Sequence, residues 1–327
     1  MKIFLAGATG AIGKRLLPML VNAGHAVTAT TQHKDKMMSI HSAGAKPVLV
    51  NALNKEEVLA AVQEARPEVV IHQLTAIPAN LNLRHFDEGF ALTNWLRTEG
   101  TDYLLAAARA VGARRFIAQS YAGWYERKGN WIKTEDDPLI SSGITDGRKT
   151  LEATIHVEEA VLKEKALEGF VLRYGSFYGS GTSLAPGAWF FEGVRQRRVP
   201  IVGDGSAYWS FIHVEDAAGA TLAAVNRATP GIYNITDDEP APVSVWLPCL
   251  ANMLGAKPPR HVPKWLARFA VGEYGVAAMT ELRGSSNRKA KALLSWKLKW
   301  PSWRQGFKDG FETQTRPIRN GSTRAVA

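Results

Sequence analysis

Residues 7–13 read G-A-T-G-A-I-G, directly after the apolar run Ile3-Phe4-Leu5-Ala6. Three glycines spaced three apart at the end of a strand, with a helical pattern following, expose backbone N–H groups beside a helix N-terminus. That geometry suits a pyrophosphate, which takes hydrogen bonds from the turn and favourable charge from the helix dipole. Gly7 allows the tight turn, Gly10 lets the backbone approach the phosphate, and Gly13 lets the helix pack close to the strand. Glycine turns are common by themselves, so the meaning of this one depends on the chain around it.

That chain alternates. Short apolar runs predict strands at 2–6, 26–31, 47–50, 69–73, 115–119 and 170–174, most of them rich in Val, Ile and Phe as in strands buried on both faces. Between them lie helical patterns in which Ile12, Leu16, Leu17 and Leu20 share a face, as do Val58, Ala61 and Val62, and Leu104, Leu105, Ala108 and Val111. Pro18 removes a hydrogen bond inside the first of these and is expected to weaken or bend it. Strand and helix in alternation predict an α/β fold of the Rossmann type, a doubly wound parallel sheet. From about Tyr178 the pattern changes: Gly and Pro become frequent, tryptophans cluster, and helical signals shorten. A smaller, mostly helical C-terminal lobe is expected over 181–315, with 209–237 returning to the dinucleotide-binding domain of 1–180. Residues 316–327 read as a flexible tail.

Composition narrows the partners. A chain of 327 residues that is 46% hydrophobic can bury a sizeable core. Cys249 is the only cysteine, which excludes an internal disulfide or a cysteine metal site and fits the cytoplasm. The glycines and the Lys14-Arg15-Pro18 stretch break any signal-peptide core, and no window is apolar enough for a membrane span. The histidines at 72, 85, 156, 213 and 261 show no ligand spacing, so no metal is expected. The net charge of +10 is concentrated late: 15 lysines and arginines stand against four acids from Lys257 onward. No nucleic-acid motif accompanies that excess, which leaves an anionic small substrate and a simple solvated face as equal readings.

Several segments together resemble the extended branch of the short-chain dehydrogenase/reductase superfamily, the NAD(P)-dependent epimerase/dehydratase group. They are A-G-A-T-G-A-I-G at the start, Asn94 with Glu99-Gly100-Thr101, R-F-I-A-Q-S at 115–120, L-R-Y-G-S-F-Y-G-S-G at 172–181, F-I-H-V-E-D-A-A at 211–218 and Y-N-I at 233–235. The likeness runs from Met1 to about Phe311. It implies a nicotinamide cofactor, held by Gly7, Thr9, Gly10, Ala11, Ile12 and Gly13 in the turn. Further contacts are expected from Thr31, His33 and Lys34 after the second strand, Asn51 and Ala52 near the adenine, Leu74 and Thr75 after the fourth strand, and Tyr174 and Tyr178. The stretch Thr30-Thr31-Gln32-His33-Lys34 offers cations and no acid, which favours the 2′-phosphate of NADP(H), although Asp35 leaves the ribose-binding role open.

The family usually works through Tyr-x-x-x-Lys, in which the tyrosine moves a proton and the lysine lowers its pKa. With Glu158 aligned to the family glutamate, those positions hold Thr150 and Thr154; a shift by one gives Leu151 and Ile155. Neither register supplies the pair. Ser120 remains at the strand end that the resemblance marks as active, and Tyr121 and Tyr125 beside it are candidate replacement acids, with Tyr121 preferred because it follows Ser120 directly. Arg173 and His213 read as structural, the latter expected to pair with Asp216 or to orient a loop. Trp189, Phe190, Phe191 and Trp209 suggest an aromatic pocket. The reading that results is an NADP(H)-dependent oxidoreductase reducing a carbonyl or activated double bond in a small substrate, possibly anionic or aromatic. Two alternatives stay open: a sugar-nucleotide epimerase or dehydratase with tightly held NAD(P), and a non-catalytic NADP(H)-binding redox sensor. Helices 94–111 and 148–164 would form a homodimer bundle by analogy with relatives.

Overall fold

A computed structural model describes residues 1–78, 80–141, 145–226 and 229–315, with side chains to 309. The expected tail at 316–327 lies outside the described residues. The strands that position the site are β1 (Lys2–Ala6), β2 (Ala26–Thr31), β3 (Lys46–Leu49), β4 (Val69–His72), β5 (Arg115–Tyr121), β6 (Glu168–Tyr174), β7 (Ser176–Tyr178), β8 (Phe211–His213) and β9 (Gly231–Ile235). The helices are α1 (Gly13–Asn22), α2 (Lys55–Ala65), α3 (Ala91–Arg97), α4 (Glu99–Ala110), α5 (Arg148–Lys163), α6 (Val214–Asn226), α7 (Val243–Met253), α8 (Lys264–Thr280) and α9 (Trp303–Thr315).

Seven strands form one sheet in the order β9-β6-β5-β4-β1-β2-β3, every neighbouring pair parallel. Alternation along each strand sends its side chains to two different layers. Ile3 and Leu5 meet Leu16, Leu17 and Leu20 of α1 and Ala217 and Ala220 of α6. Phe4 and Ala6 meet Val58 and Val62 of α2, Leu104 and Ala108 of α4, and Val157 and Val161 of α5. Helices on both faces explain why β4 is buried at all four positions. Helix α1 runs unbroken through Pro18, because Leu16, Leu17 and Leu20 anchor it to the sheet on either side of the proline.

Two strand boundaries differ from expectation in a way that matters. β5 extends past Gln119 to Tyr121, and β6 begins at Glu168 rather than Phe170, because the pair runs in register from Arg115↔Glu168 to Tyr121↔Tyr174. Ser120 and Tyr121 therefore sit within the sheet edge and not in a loop after it. The seventh strand, β9, pairs with β6. It was visible in the sequence only as the landmark Y-N-I. A second core, containing Phe86, Trp124, Trp246, Leu250, Trp303 and Phe307, forms where α7, α8 and α9 close over the carboxyl ends of β5 to β8.

Candidate active site and nucleotide cradle

The turn after β1 is built as a backbone surface. Gly7 has φ of 95°, and a Cβ there would lie 2.6 Å from the carbonyl oxygen of Gln73, so only glycine fits. A Cβ on Gly13 would collide with the Gly7 carbonyl, which keeps the helix tight against the strand. At Gly10 the situation is opposite. Its Cβ would meet nothing closer than the Gly7 oxygen at 3.4 Å, and the residue is exposed, so the space beside it is open to a ligand. Ile12 precedes α1 with no side-chain cap, leaving the first N–H groups of the helix free of side-chain acceptors. These features fit a pyrophosphate. Thr9 and Ala11 line the same turn, half-buried, while Ile12 points into the core. Thr30, not Thr31, touches the turn by accepting from the Gly7 N–H at 3.4 Å. The Thr31 hydroxyl accepts from the His33 N–H instead, shaping a bend that leaves His33 and Lys34 exposed. Asn51 takes the Leu53 N–H with its side-chain oxygen, with Ala52 between them, and Leu74 and Thr75 follow β4 at the open edge.

Two expected cofactor contacts are placed elsewhere. Tyr174 is buried with its hydroxyl between Gln73 Nε2 at 3.0 Å and Thr221 Oγ1 at 2.7 Å, and burial pushes its pKa up to about 12. It bonds β4 to α6 beneath the sheet edge. Tyr178 is wedged between His213 and Phe307 so closely that a Cβ on Gly306 would strike its ring. Both are core residues.

The catalytic candidates separate just as sharply. The Ser120 hydroxyl donates to Glu158 Oε1 at 2.5 Å. Glu158 in turn is clasped by Arg173, from Nε at 2.8 Å and Nη2 at 2.5 Å. Arg173 Nη1 donates to the Tyr125 hydroxyl at 2.9 Å, which donates to Asn234 Oδ1 at 2.7 Å. This buried chain ties β5, α5, β6 and β9 together. It occupies the Ser120 hydroxyl, and it occupies both the donor and an acceptor site of Tyr125, whose pKa burial pushes up to about 12. The expectation of Tyr125 as a replacement acid is thus corrected: its hydroxyl is inside the fold.

The two threonines expected at the Tyr/Lys positions are closed in as well. The Thr150 hydroxyl donates to Asp87 Oδ1 at 2.7 Å and accepts from Asn94 Nδ2 at 3.0 Å. Asp87 also accepts the Lys149 and Thr150 N–H groups, placing a carboxylate at the start of α5. Thr154 is fully buried; its hydroxyl donates to the Thr150 carbonyl and accepts from Arg97 Nη1 at 3.4 Å.

Tyr121 remains. It ends β5 half-buried, at the start of the turn that continues to Tyr125. Burial raises its pKa, while the Ser176 and Tyr274 hydroxyls and the Arg97 charge pull it back. Arg97 is itself buried, with its Nε unpartnered, and burial pulls its pKa down to about 10. Tyr274 arrives from α8, which kinks at Gly272 (φ 70°, ψ −176°), and its ring stacks on Phe86 at 3.7 Å. A narrow cavity beside Tyr121 is lined by Ser176, Tyr208, Trp209 and Arg283.

Residues 3–236 match the NAD dependent epimerase/dehydratase family. The chain belongs to that family. Its relatives include a 3-diazoavenalumate denitrifying reductase from Streptomyces sp., 41% identical over 309 residues that span 94% of this chain and 99% of the relative. A 4-hydroxy-2-methyl-3-oxo-4-farnesyl-3,4-dihydroquinoline-1-oxide ketoreductase from Stigmatella aurantiaca is 25% identical over 262 residues, 79% of this chain and 74% of that one. Among solved structures, a UDP-glucose 4-epimerase from Thermotoga maritima with UDP-glucose has a TM-score of 0.74 at 21% identity, covering 97% of this chain and 100% of its own. A human epimerase family protein with NADPH has a TM-score of 0.73 at 19% identity, covering 95% and 99%. The chain is an NAD(P)-dependent oxidoreductase of this family.

Within the family frame, sequence reasoning missed Arg97 and Tyr274. Arg97 had a faint signal, a cation on an otherwise inward helix face; Tyr274 lies far along the chain and needs the Gly272 kink to reach the site. His213 is not paired with Asp216. Its Nδ1 accepts from the Glu215 N–H and its ring lies 3.6 Å from that of Trp300, while Asp216 takes the Lys299 and Trp300 N–H groups. Of the expected aromatic pocket, Trp209 lines the cavity and Phe191 is core. Among the described residues no cluster of three or more metal-ligating side chains occurs, and no helix is long and apolar enough to cross a membrane.

Proposed function

We propose that the protein is an NADP(H)-dependent reductase of a small aromatic, anionic molecule, with Tyr121 as the only one of the expected catalytic groups that faces substrate. The observation that carries this reading is the contrast at one sheet edge: an open backbone cradle at Gly10 beside Thr150 and Thr154 whose hydroxyls are bound inside the fold. Gly7, Thr9, Gly10, Ala11 and Gly13 would hold the pyrophosphate. The exposed Lys34 and His33 supply positive charge for a 2′-phosphate, which favours NADP(H) over NAD(H). When bound, the cofactor supplies a hydride from its nicotinamide. For a carbonyl substrate, Tyr121 gives its hydroxyl proton to the oxygen as the C=O becomes C–OH, and the Ser176 and Tyr274 hydroxyls hold the tyrosine in place.

A second reading is favoured by one relative. Its name describes reductive removal of nitrogen from a diazo compound. Replacement of a leaving dinitrogen by hydrogen breaks a C–N bond, whose electron pair leaves with N2, and forms a C–H bond from hydride. From an arene diazonium cation this consumes no proton, so an enzyme without the Tyr/Lys pair needs no substitute acid for it.

Label transfer from deuterated NADPH into panels of carbonyls, enones and arene diazonium salts tests both. Deuterium in the product that is lost in Gly10→Trp supports the reductase. Tyr121→Phe then separates the readings: a fall in kcat of about 10²–10⁴ fits the acid role, and an unchanged rate fits a proton-free acceptor. Turnover without added nucleotide, by protein purified with cofactor, would replace both with an epimerase. Tight NADPH binding with no label transfer in any panel would leave a redox-sensing binder. We also place the protein in a homodimer through the faces of α4 and α5, which light scattering checks.

A further inference from the structure

The first half of α8 leaves the core. Of residues 264–270 only Ala267 is buried, whereas beyond the kink at Gly272 the helix buries Tyr274, Ala277, Ala278 and Met279. Trp265 is 68% exposed, Phe269 70% and Leu266 47%. Trp265 and Phe269 stand four apart, so they share one face of the helix, with Leu266 beside them. Three large apolar side chains grouped in water are unfavourable, and a layer that covers them relieves the exposure.

The charges around them describe that layer. Lys264 and Arg268 are also four apart and form an exposed row alongside the aromatic pair. Lys257 and Arg260 precede the helix, exposed as well, and residues 257–272 contain these four lysines and arginines and no acid. Two acids lie nearby. Glu273 meets Arg268 at 3.8 Å in a solvent-facing pair, which is weak. Asp204 is held by the Ser206 N–H and hydroxyl, and Lys264 adds only its charge. The excess around the aromatic pair stays positive. Cations in a row beside Trp, Phe and Leu are the composition of a helix that lies in the headgroup layer of a membrane. Side chains two-thirds exposed project from the surface and do not line a groove, so they suit a soft layer that yields around them. No described helix is long and apolar enough to cross a bilayer; this one would lie along it.

We propose that the first half of α8 seats the protein on an anionic lipid surface. Trp265, Leu266 and Phe269 enter at headgroup level, and Lys264 and Arg268 meet the negative headgroups. The attachment is peripheral and does not depend on the reductase reading.

Sedimentation of the full-length protein with vesicles tests it, using phosphatidylcholine alone and phosphatidylcholine mixed equally with phosphatidylglycerol. The protein pellets with the mixed vesicles at low salt and stays in solution with phosphatidylcholine. Trp265→Ala with Phe269→Ala weakens the association by at least about tenfold. Lys264→Gln with Arg268→Gln weakens it by about thirtyfold at low salt, and added salt lowers wild-type binding. All four side chains are exposed, so both double variants keep the wild-type melting temperature and NADPH affinity. Failure to pellet with the mixed vesicles overturns the proposal, as does equal pelleting with phosphatidylcholine alone. Undiminished binding in either double variant overturns it too. Light scattering without lipid covers the other occupant: a wild-type dimer that Trp265→Ala with Phe269→Ala makes monomeric would give this face to a second copy of the chain and remove the membrane.

Discussion

The cradle after β1 and the region around Thr150 lie at the same carboxyl edge of one sheet, yet they are made of different materials. The cradle is backbone. Its shape is set by where a Cβ cannot go, at Gly7 and Gly13, and by where nothing stands, at Gly10. The region around Thr150 is side chains from five elements and a loop, linked in series: Asp87, Asn94, Thr150 and Arg97 on one side, and Ser120, Glu158, Arg173 and Tyr125 on the other. A backbone site stays open to a ligand because its polar groups have no side chains to satisfy them. A side-chain site of this kind satisfies most of its own groups, Asn94 Oδ1 and Arg97 Nε excepted, and closes.

That contrast can be broken from either end. The largest effect is expected from Gly10→Trp, which fills the open space without touching the core. NADPH affinity falls by more than about 10³, equivalent to some 4 kcal/mol, while the melting temperature holds. A fluorescence titration checks it, and retained affinity would remove the cradle.

Glu158→Gln should act in the opposite sense, on the fold. It leaves the Arg173 guanidinium buried beside an uncharged partner, and breaking such a pair costs about 3–5 kcal/mol. Urea unfolding measures that loss. Ser120→Ala in the same assay should cost only about 1 kcal/mol, and its turnover should match wild type. A collapse of kcat in Ser120→Ala, with stability intact, would return the serine to the chemistry.

Gly123→Ala is a finer probe. A Cβ there meets the Tyr121 ring, so the ring must move while Ser120 and its network stay in place. A fall in kcat of about 10- to 100-fold is expected where Tyr121 acts as the acid, since small misplacements of a reacting group have effects of that order.

The effect confined to the narrowest range of conditions is in pH. His72 accepts the Leu74 N–H at Nδ1 and bonds the Leu96 carbonyl through Nε2, and burial pulls its pKa down to about 4. The unfolded chain protonates this histidine near 6.5 and the folded one only near 4. Its contribution is therefore full above pH 6.5 and is lost progressively as the pH falls toward 4. His72→Gln should flatten the slope of stability against pH in that interval and leave the region above pH 7 level. An unchanged slope would show that other groups set it.

The same contrast governs what could be read from the chain alone. Gly7, Gly10 and Gly13 declare themselves by spacing because backbone demands act locally, on adjacent residues. The sheet follows for a similar reason: apolar runs and helical faces have short periods. The fate of Ser120 depends on Glu158 and Arg173, which reach it only after β5, α5 and β6 have packed, so its hydroxyl looked available. Tyr174 and Tyr178 carried family landmarks but face into the core. The enclosure of Thr150 and Thr154 was not legible, since it depends on Asp87, Asn94 and Arg97 reaching them from other helices. Nor was the arrival of Tyr274, because it depends on one kink at Gly272 some 150 residues downstream of Tyr121.

The packing of Thr150 and Thr154 also bears on reversibility. Both side chains are almost wholly enclosed, and their hydroxyl partners Asp87, Asn94 and Arg97 fill the volume that larger side chains would require. Restoring tyrosine at 150 and lysine at 154 would therefore bury a ring and a second cation where no room remains. Several neighbours would have to be cleared first, each step destabilising before any catalytic gain. At these two positions the fold admits small residues and little else.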